Sequence, residues 1–505
     1  MNNLKILYTT AEVYPYAGVG GLGQVSYFLT KQLKKDGIDV RIFMPKYGNI
    51  DESKYPMEML YEGLTIPTKN GHDIVCNILK YEDKDDKDIP IVYFLENMEF
   101  YEKRSNVYGY MDDDIRFLLL SEGLMEFLKK SEWVPDIINC ADWHTGHIPN
   151  LLKVNYNNDK KLKHIATVFS IHNLMHQGLF DHRNFNDLDF DNGKEESADI
   201  FDPKLKKQNF VRRGIMYSDV VTTVSEKYSR EILTEDYGEG LEHLLREVRT
   251  KLFGVLNGID YEYMNPETDS NITANYSSKN PFRRELNKED LQKEFNLQIN
   301  NNPIMGMVTR LDAQKGLDLV VDVIETAIKE LDIQFVIIGG GDGKFIEYFS
   351  SLEKKYPKKI GTHLMADFIL PKKVFSGADM LLLPSKFEPS GITQMEAMRY
   401  GCIPIARNVG GLADSITNFD PVTKKGNGFL FTEYDPYALM SAMTRAVENY
   451  KNETVWKEIV KTAMETDFSW EHSSLKYIDI YRKAIRLHNN MKISKEESIY
   501  QMFTF

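Results

Sequence analysis

Cysteine is scarce in this chain of 505 residues. Cys76, Cys140 and Cys402 lie far apart and form no CxxC pair, which excludes a disulfide-stapled scaffold and a structural zinc site and suits a reducing compartment. Long apolar runs are missing too. The opening MNNLKILYTTAEVYPYAG carries one lysine before a short apolar stretch that Glu12 ends, unlike a secretion signal, and no stretch approaches a membrane span. Positive charge is also in deficit. Lys and Arg total 62 against 75 for Asp and Glu, a formal charge of −13 that repels phosphate backbones and makes nucleic acid a poor partner. Together these absences predict a soluble, cytoplasmic protein without membrane or nucleic-acid partners.

What is present is alternation. LKILYTT (4–10) reads as a buried strand, a glycine-rich turn follows, and a helix from about Leu22 ends at Asp36-Gly37 before a second strand, DVRIFMP (39–45). PDIINCAD, HIATVFSIH and DVVTTVS continue the pattern of a doubly wound, mostly parallel sheet. After GVLNGID (254–260) and a polar stretch at 265–282 the series restarts with PIMGMVTR (303–310), FVIIGGG (335–341), MLLLP (380–384) and IPIARN (403–408). The expectation is α/β, two Rossmann-like halves. The acidic stretches 81–88 and 186–207 read as solvated loops.

Gly18-Val-Gly20-Gly21-Leu-Gly23 fits the dinucleotide pattern G-x-G-x-x-G. That pattern needs an acid at the end of the second strand to hold a ribose. Asp39 instead opens the strand, whose far end reads Phe43-Met44-Pro45-Lys46, so a dehydrogenase is disfavoured. Side-chain-free glycines before a helix still predict bare amides able to meet an anion. In the second half, Arg310 and Lys315 follow a strand end, where two cations can neutralise a diphosphate or, alternatively, pair with surface carboxylates. Further on, Glu388 precedes Ser390-Gly391-Ile392-Thr393, whose amides open a helix and offer a second phosphate cradle. Glu388 and Glu396 are eight apart, about two helical turns, so they are expected to share a face. His144, His147, His172 and His176 lack HExxH and a carboxylate at ligand spacing, so no metal is expected.

Taken in order, AEVYPYAGVGGLGQV, NCADWHTGHIPNLL, SIHNLMHQGLF, VTTVSEKYSREI, GVLNGIDYEYMNPETD, VTRLDAQKGLDLV, SKFEPSGITQ, RNVGGLADSI and FSWEHSSLKYIDIYRKAI make the chain resemble the bacterial glycogen and plant starch synthase family, retaining glycosyltransferases of the two-domain GT-B fold. The resemblance implies a catalytic-type first domain over 1–250, a nucleotide-sugar domain over 251–470, a deep cleft between them, and a segment 471–505 crossing back to the first. It implies transfer of glucose from a nucleotide-glucose, ADP-glucose foremost and UDP-glucose otherwise, to the end of an α-1,4-glucan, without metal or other cofactor. Arg310 and Lys315 would serve the diphosphate, Glu388 and His172 the reacting sugar, and Gly391, Ile392 and Thr393 phosphate or sugar oxygens. Asp142, Asn173 and Asn257 would line the sugar pocket, with Gly20, Gly21 and Glu396 also binding substrate.

Three departures stand out. The family's loop lysine is Gly18 here, its following aspartate is Gln24, and the tyrosine that often stacks on the base falls at Ala366. These keep open a different sugar donor or acceptor, or a weakly catalytic sugar-nucleotide-binding protein. A phosphorylase of the same fold would need segments the chain does not contain.

Overall fold

The computed structural model describes residues 4–181, 191–367 and 369–502, with side chains described to residue 490. Two compact units emerge. One holds residues up to Val224, Ser229–Val255 and the C-terminal stretch from Trp470; the other holds Ser225–Tyr228 and Leu256–Ser469.

Among the described residues the first unit is built on nine strands: β1 (Lys5–Thr9), β2 (Asp39–Pro45), β3 (Glu58–Ile66), β4 (Ile74–Tyr81), β5 (Ile91–Glu96), β6 (Ile137–Ala141), β7 (Ala166–Ile171), β8 (Val220–Thr223) and β9 (Leu252–Gly254). They are ordered β3-β4-β5-β2-β1-β6-β7-β8-β9. All neighbours pair in parallel except β3 with β4 and β4 with β5. The central strands are mostly apolar because helices cover both faces; β1 and β6 are almost wholly buried. Helix Gly21–Lys35 ends where Gly37 adopts φ +83°, a conformation cheap only for glycine. Helix Trp470–Met502 lies in this unit, where Ser474 Oγ donates to Asp36 (2.6 Å), Tyr481 Oη to Asn139 (3.1 Å), and His488 pairs with Asp219 (3.1 Å).

Among the described residues the second unit has six strands, β10 (Ile304–Val308), β11 (Gln334–Ile338), β12 (Ile360–His363), β13 (Met380–Leu383), β14 (Ile403–Arg407) and β15 (Phe429–Phe431). They run in parallel in the order β12-β11-β10-β13-β14-β15. Strands β10, β11, β13 and β14 form the centre of a continuous apolar core with the inner faces of helices Leu317–Glu330 and Pro436–Tyr450.

In such sheets the chain reverses its winding at one point, and ligand crevices open beyond the strand C-termini there. The reversal falls between β1 and β6 in the first unit and between β10 and β13 in the second. Those four strand ends carry most of the candidate residues; His172 and Asn173 follow β7, and Asn257 follows β9.

One loop expectation needs correction. Residues 186–190 lie outside the described residues, but the rest of the acidic stretch 186–207 is not simply solvated. Asp191 is buried, paired with the equally buried Arg213 at 2.7 Å, and Tyr217 Oη donates to the Glu195 carbonyl at 3.0 Å. Arg213, on helix Phe210–Tyr217, also approaches Glu195 Oε2 at 3.7 Å, so this part of the stretch is held by charge pairing with a buried guanidinium.

Candidate active site

After β1 the chain reaches Glu12, buried beneath the glycine turn. Its Oε2 accepts the amides of Val19 (2.6 Å) and Gly20 (3.1 Å), and its Oε1 the Tyr108 hydroxyl (3.2 Å). The expectation of bare amides is therefore corrected at these two positions: the loop's own carboxylate already fills the role of the anion. Gly21 begins the helix, and Gly18, Gly20, Gly21 and Gln24 are exposed. Gly18 has no positive φ, and a Cβ there would meet nothing within 4 Å.

Asp142 follows β6 with φ +60° and ψ −176°, a region that non-glycine residues enter at a cost of about 1–3 kcal/mol. Its Oδ1 accepts the His172 amide from the end of β7 at 3.1 Å, and the Asn173 amide also bonds to it. Burial outweighs these donors and lifts the carboxyl to about 7. His172 is held neutral, its pKa lowered to about 4 by burial, and its Nε2 is buried without a hydrogen-bond partner among the described residues. Asn173 closes its own turn by accepting the Met175 amide (3.1 Å). His144 stacks on Trp143 at 3.9 Å between ring centroids, His147 packs on Phe210 and bonds Ser197 Oγ (2.8 Å), and His176 is exposed. Among the described residues no group of three His, Cys, Asp or Glu is arranged to hold a metal ion.

In the second unit, Lys315 Nζ lies 2.7 Å from Glu388 Oε2, joining the loops after β10 and β13. Ser385 Oγ donates to the same oxygen at 3.0 Å. Arg310 is two-thirds exposed and pairs with Asp312 (3.0 Å) while donating to Gln314 (3.2 Å). Surface pairing, the alternative reading of these cations, thus holds for Arg310, whereas the partner of Lys315 is a buried acid.

The helix beyond begins only at Thr393 and ends at Arg399. Gly391, at φ +61°, breaks the chain from any helical path back to Glu388, so the two-turn arithmetic linking Glu388 and Glu396 fails. Glu396 is half-buried, lifted to about 7 by burial and opposed by Lys372 rather than Lys315. The amides of Gly391, Ile392 and Thr393 precede the first helical bonds, from Met395 and Glu396 to the Ile392 carbonyl. Asn257 belongs to this unit too, its Oδ1 buried and unpartnered among the described residues. Ala366 is exposed beside Met365, near the glycines that follow β11.

Several supporting residues escaped sequence reasoning. The Gln314 carbonyl accepts the Lys386 amide (2.8 Å), and Gln394 Nε2 donates to the carbonyls of Ser390 (3.1 Å) and Gly391 (2.8 Å). Gly410 and Gly411 press directly on the Glu388 turn: a Cβ on either would lie 1.9 Å from the Glu388 carbonyl oxygen or 1.7 Å from that of Ser390. The Gly-Gly pair just past the strand IPIARN was the available signal.

Comparisons with known proteins cover the chain nearly end to end. Residues 5–247 match the family described as starch synthase catalytic domain, and residues 288–462 match glycosyl transferases group 1. A glycogen synthase of Desulforudis audaxviator is 38% identical over 98% of each chain. One from Clostridium acetobutylicum is 40% identical over 95% of this chain and 100% of its own. The catalytic domain of starch synthase IV from Arabidopsis thaliana, solved bound to ADP and acarbose, superposes with a TM-score of 0.83 at 31% identity, covering 96% of this chain and 100% of that one.

Proposed function

The chain belongs to the glycogen and starch synthase family, and from that premise we propose that it transfers glucose from a nucleotide-glucose, ADP-glucose foremost, to the non-reducing end of an α-1,4-glucan, with retention at the anomeric carbon. The observation that carries the reading is the Lys315–Glu388 pair, which brings a cation and an acid together at the winding reversal of the second sheet.

In this reading the bond from the sugar C1 to the diphosphate oxygen breaks as C1 bonds to the acceptor hydroxyl oxygen. The acceptor's proton leaves with the diphosphate. Lys315 and Arg310 stabilise the charge that grows on the diphosphate, since fixed cations need no reorganisation as the bond breaks. Glu388 offsets positive charge developing at C1. Neutral His172, with its unpartnered Nε2, serves a sugar hydroxyl, and Asp142 fixes the turn that carries His172 and Asn173. Asn257 contributes an acceptor to the sugar pocket. The amides of Gly391 to Thr393 and the carboxyl of Glu396 take donor oxygens, while Gly20 and Gly21 shape a substrate-binding loop.

The test is incorporation of radiolabelled glucose into glycogen, with ADP-glucose and UDP-glucose supplied in parallel. Glycogen is expected to gain label, and Lys315→Ala and Glu388→Gln are each expected to lower turnover by about 10²–10³. No label from either donor would overturn the activity. Normal turnover in both variants would overturn the assignment of the site.

A further inference from the structure

Ser385 is buried at 1% exposure, two residues past the end of β13. A hydroxyl so enclosed needs a partner, and this one donates to Glu388 Oε2 at 3.0 Å. The same oxygen receives Lys315 Nζ at 2.7 Å. Two donors on one oxygen divide the carboxylate: Oε2 is saturated, and Oε1 has no partner among the described residues. The loop that carries both residues is clamped from behind. The Gln314 carbonyl takes the Lys386 amide, and Gly410 and Gly411 lie against the backbone of 388–390.

We propose that Ser385 is a positioning residue for Glu388, fixing its carboxylate so that Oε1 faces the reacting sugar while Lys315 is drawn on by the donor's diphosphate. The ammonium is shared between two anions once donor is bound, because it sits on the acid and is assigned to the phosphates. The serine has no such second claim, so it holds the rotamer when the lysine's grip is divided. The inference rests on the reading of Glu388 given above.

Ser385→Ala removes a hydrogen bond to a charged group, and kcat is expected to fall about 10- to 100-fold. Donor KM should stay within about twofold, since the group acts through Glu388 and not on the nucleotide. The decisive measurement is a double-mutant cycle with Glu388→Gln. If the serine acts through the acid, adding Ser385→Ala to Glu388→Gln slows turnover no further. Equal losses in both backgrounds, or an unchanged kcat in Ser385→Ala, would overturn the proposal. Circular dichroism and thermal midpoints of each variant separate a lost fold from a misplaced carboxylate, and Ser385→Cys, similar in shape with a weak donor, carries the same cycle where alanine costs folding. Wild-type turnover in Glu388→Gln alone would instead sink the reading of the acid, a result visible without any serine variant.

Discussion

Replacing Asp142 by asparagine should stabilise the protein, increasingly so as pH rises. In the folded chain burial lifts this carboxyl from an ordinary value of 3.8 to about 7. Between those values the native state holds a proton that the unfolded state has released. Unfolding free energy therefore falls as pH climbs through the window, and the loss is complete above the folded pKa. At about 1.4 kcal/mol per tenfold change in proton affinity, the full penalty is about 4 kcal/mol. Asparagine never ionises, yet its Oδ1 can still accept the His172 amide. Its lead over wild type should grow by about 2 kcal/mol between about pH 5.5 and pH 8, because part of the penalty is already present at the lower value. For a unit of this size that corresponds to roughly 4–8 °C in thermal midpoint. Glu122 and Glu396, also lifted to about 7 by burial, titrate alike in both proteins and cancel in the difference. The assay is calorimetry of both proteins at the two pH values, with turnover measured alongside and expected to drop. A stability gap that stays constant or narrows toward pH 8 would refute the reasoning.

Two further substitutions probe the scaffold. Gly411→Ala sets a methyl 1.7 Å from the Ser390 carbonyl oxygen, so the Glu388 turn must move; a stability loss of about 1–3 kcal/mol by urea titration and a larger proportional loss of turnover are expected. Arg213→Met strips the buried Asp191 of its cationic partner and should cost about 3–5 kcal/mol by the same titration, against a near-neutral change if residues 191–197 were solvated.

How much of this was legible in the sequence depended on how local each cause is. Strands β1, β2, β6, β7, β8, β10, β11, β13 and β14 announced themselves because a strand buried on both faces is a mostly apolar run. β3 and β4 did not. They form an antiparallel edge whose outer residues, Glu58, Met59, Leu60 and Glu62 among them, face solvent and leave no such run. Residues at strand ends could be placed from pattern alone, as Arg310 and Lys315 were, while Asp142 was singled out only by the family resemblance. Their partners could not, because pairing is decided across many residues: nothing in the spacing tells that Lys315 meets Glu388 or that Asp191 meets Arg213. Counting along one helix misled for Glu396, since one glycine at positive φ cancels the periodicity on which the count depends.

The glycine turn after β1 joins both lessons and sets the prediction on which donor selectivity turns. The pattern promised an anion cradle, and the structure supplies the anion from within, as Glu12. With those amides spent and no lysine at position 18, the loop offers a donor phosphate neither a free amide at Val19 or Gly20 nor a cation. Ala366, exposed where a stacking ring is expected, removes a contact to the base as well. Both losses weaken what distinguishes one nucleotide from another, while Lys315 and Arg310 act on a diphosphate that ADP- and UDP-glucose share. Selectivity between the two donors should accordingly be modest. Gly18→Lys should lower donor KM by about ten- to hundred-fold, the worth of one charged hydrogen bond. Position 18 has no positive φ and open space for a side chain, so the variant should fold as wild type does. Direct competition between the two donors in the unsubstituted protein is the cleaner measurement. A preference of several hundred-fold for either, about 3 kcal/mol or more, would mean that other side chains have taken over base recognition, and the argument from the missing lysine and ring would fail.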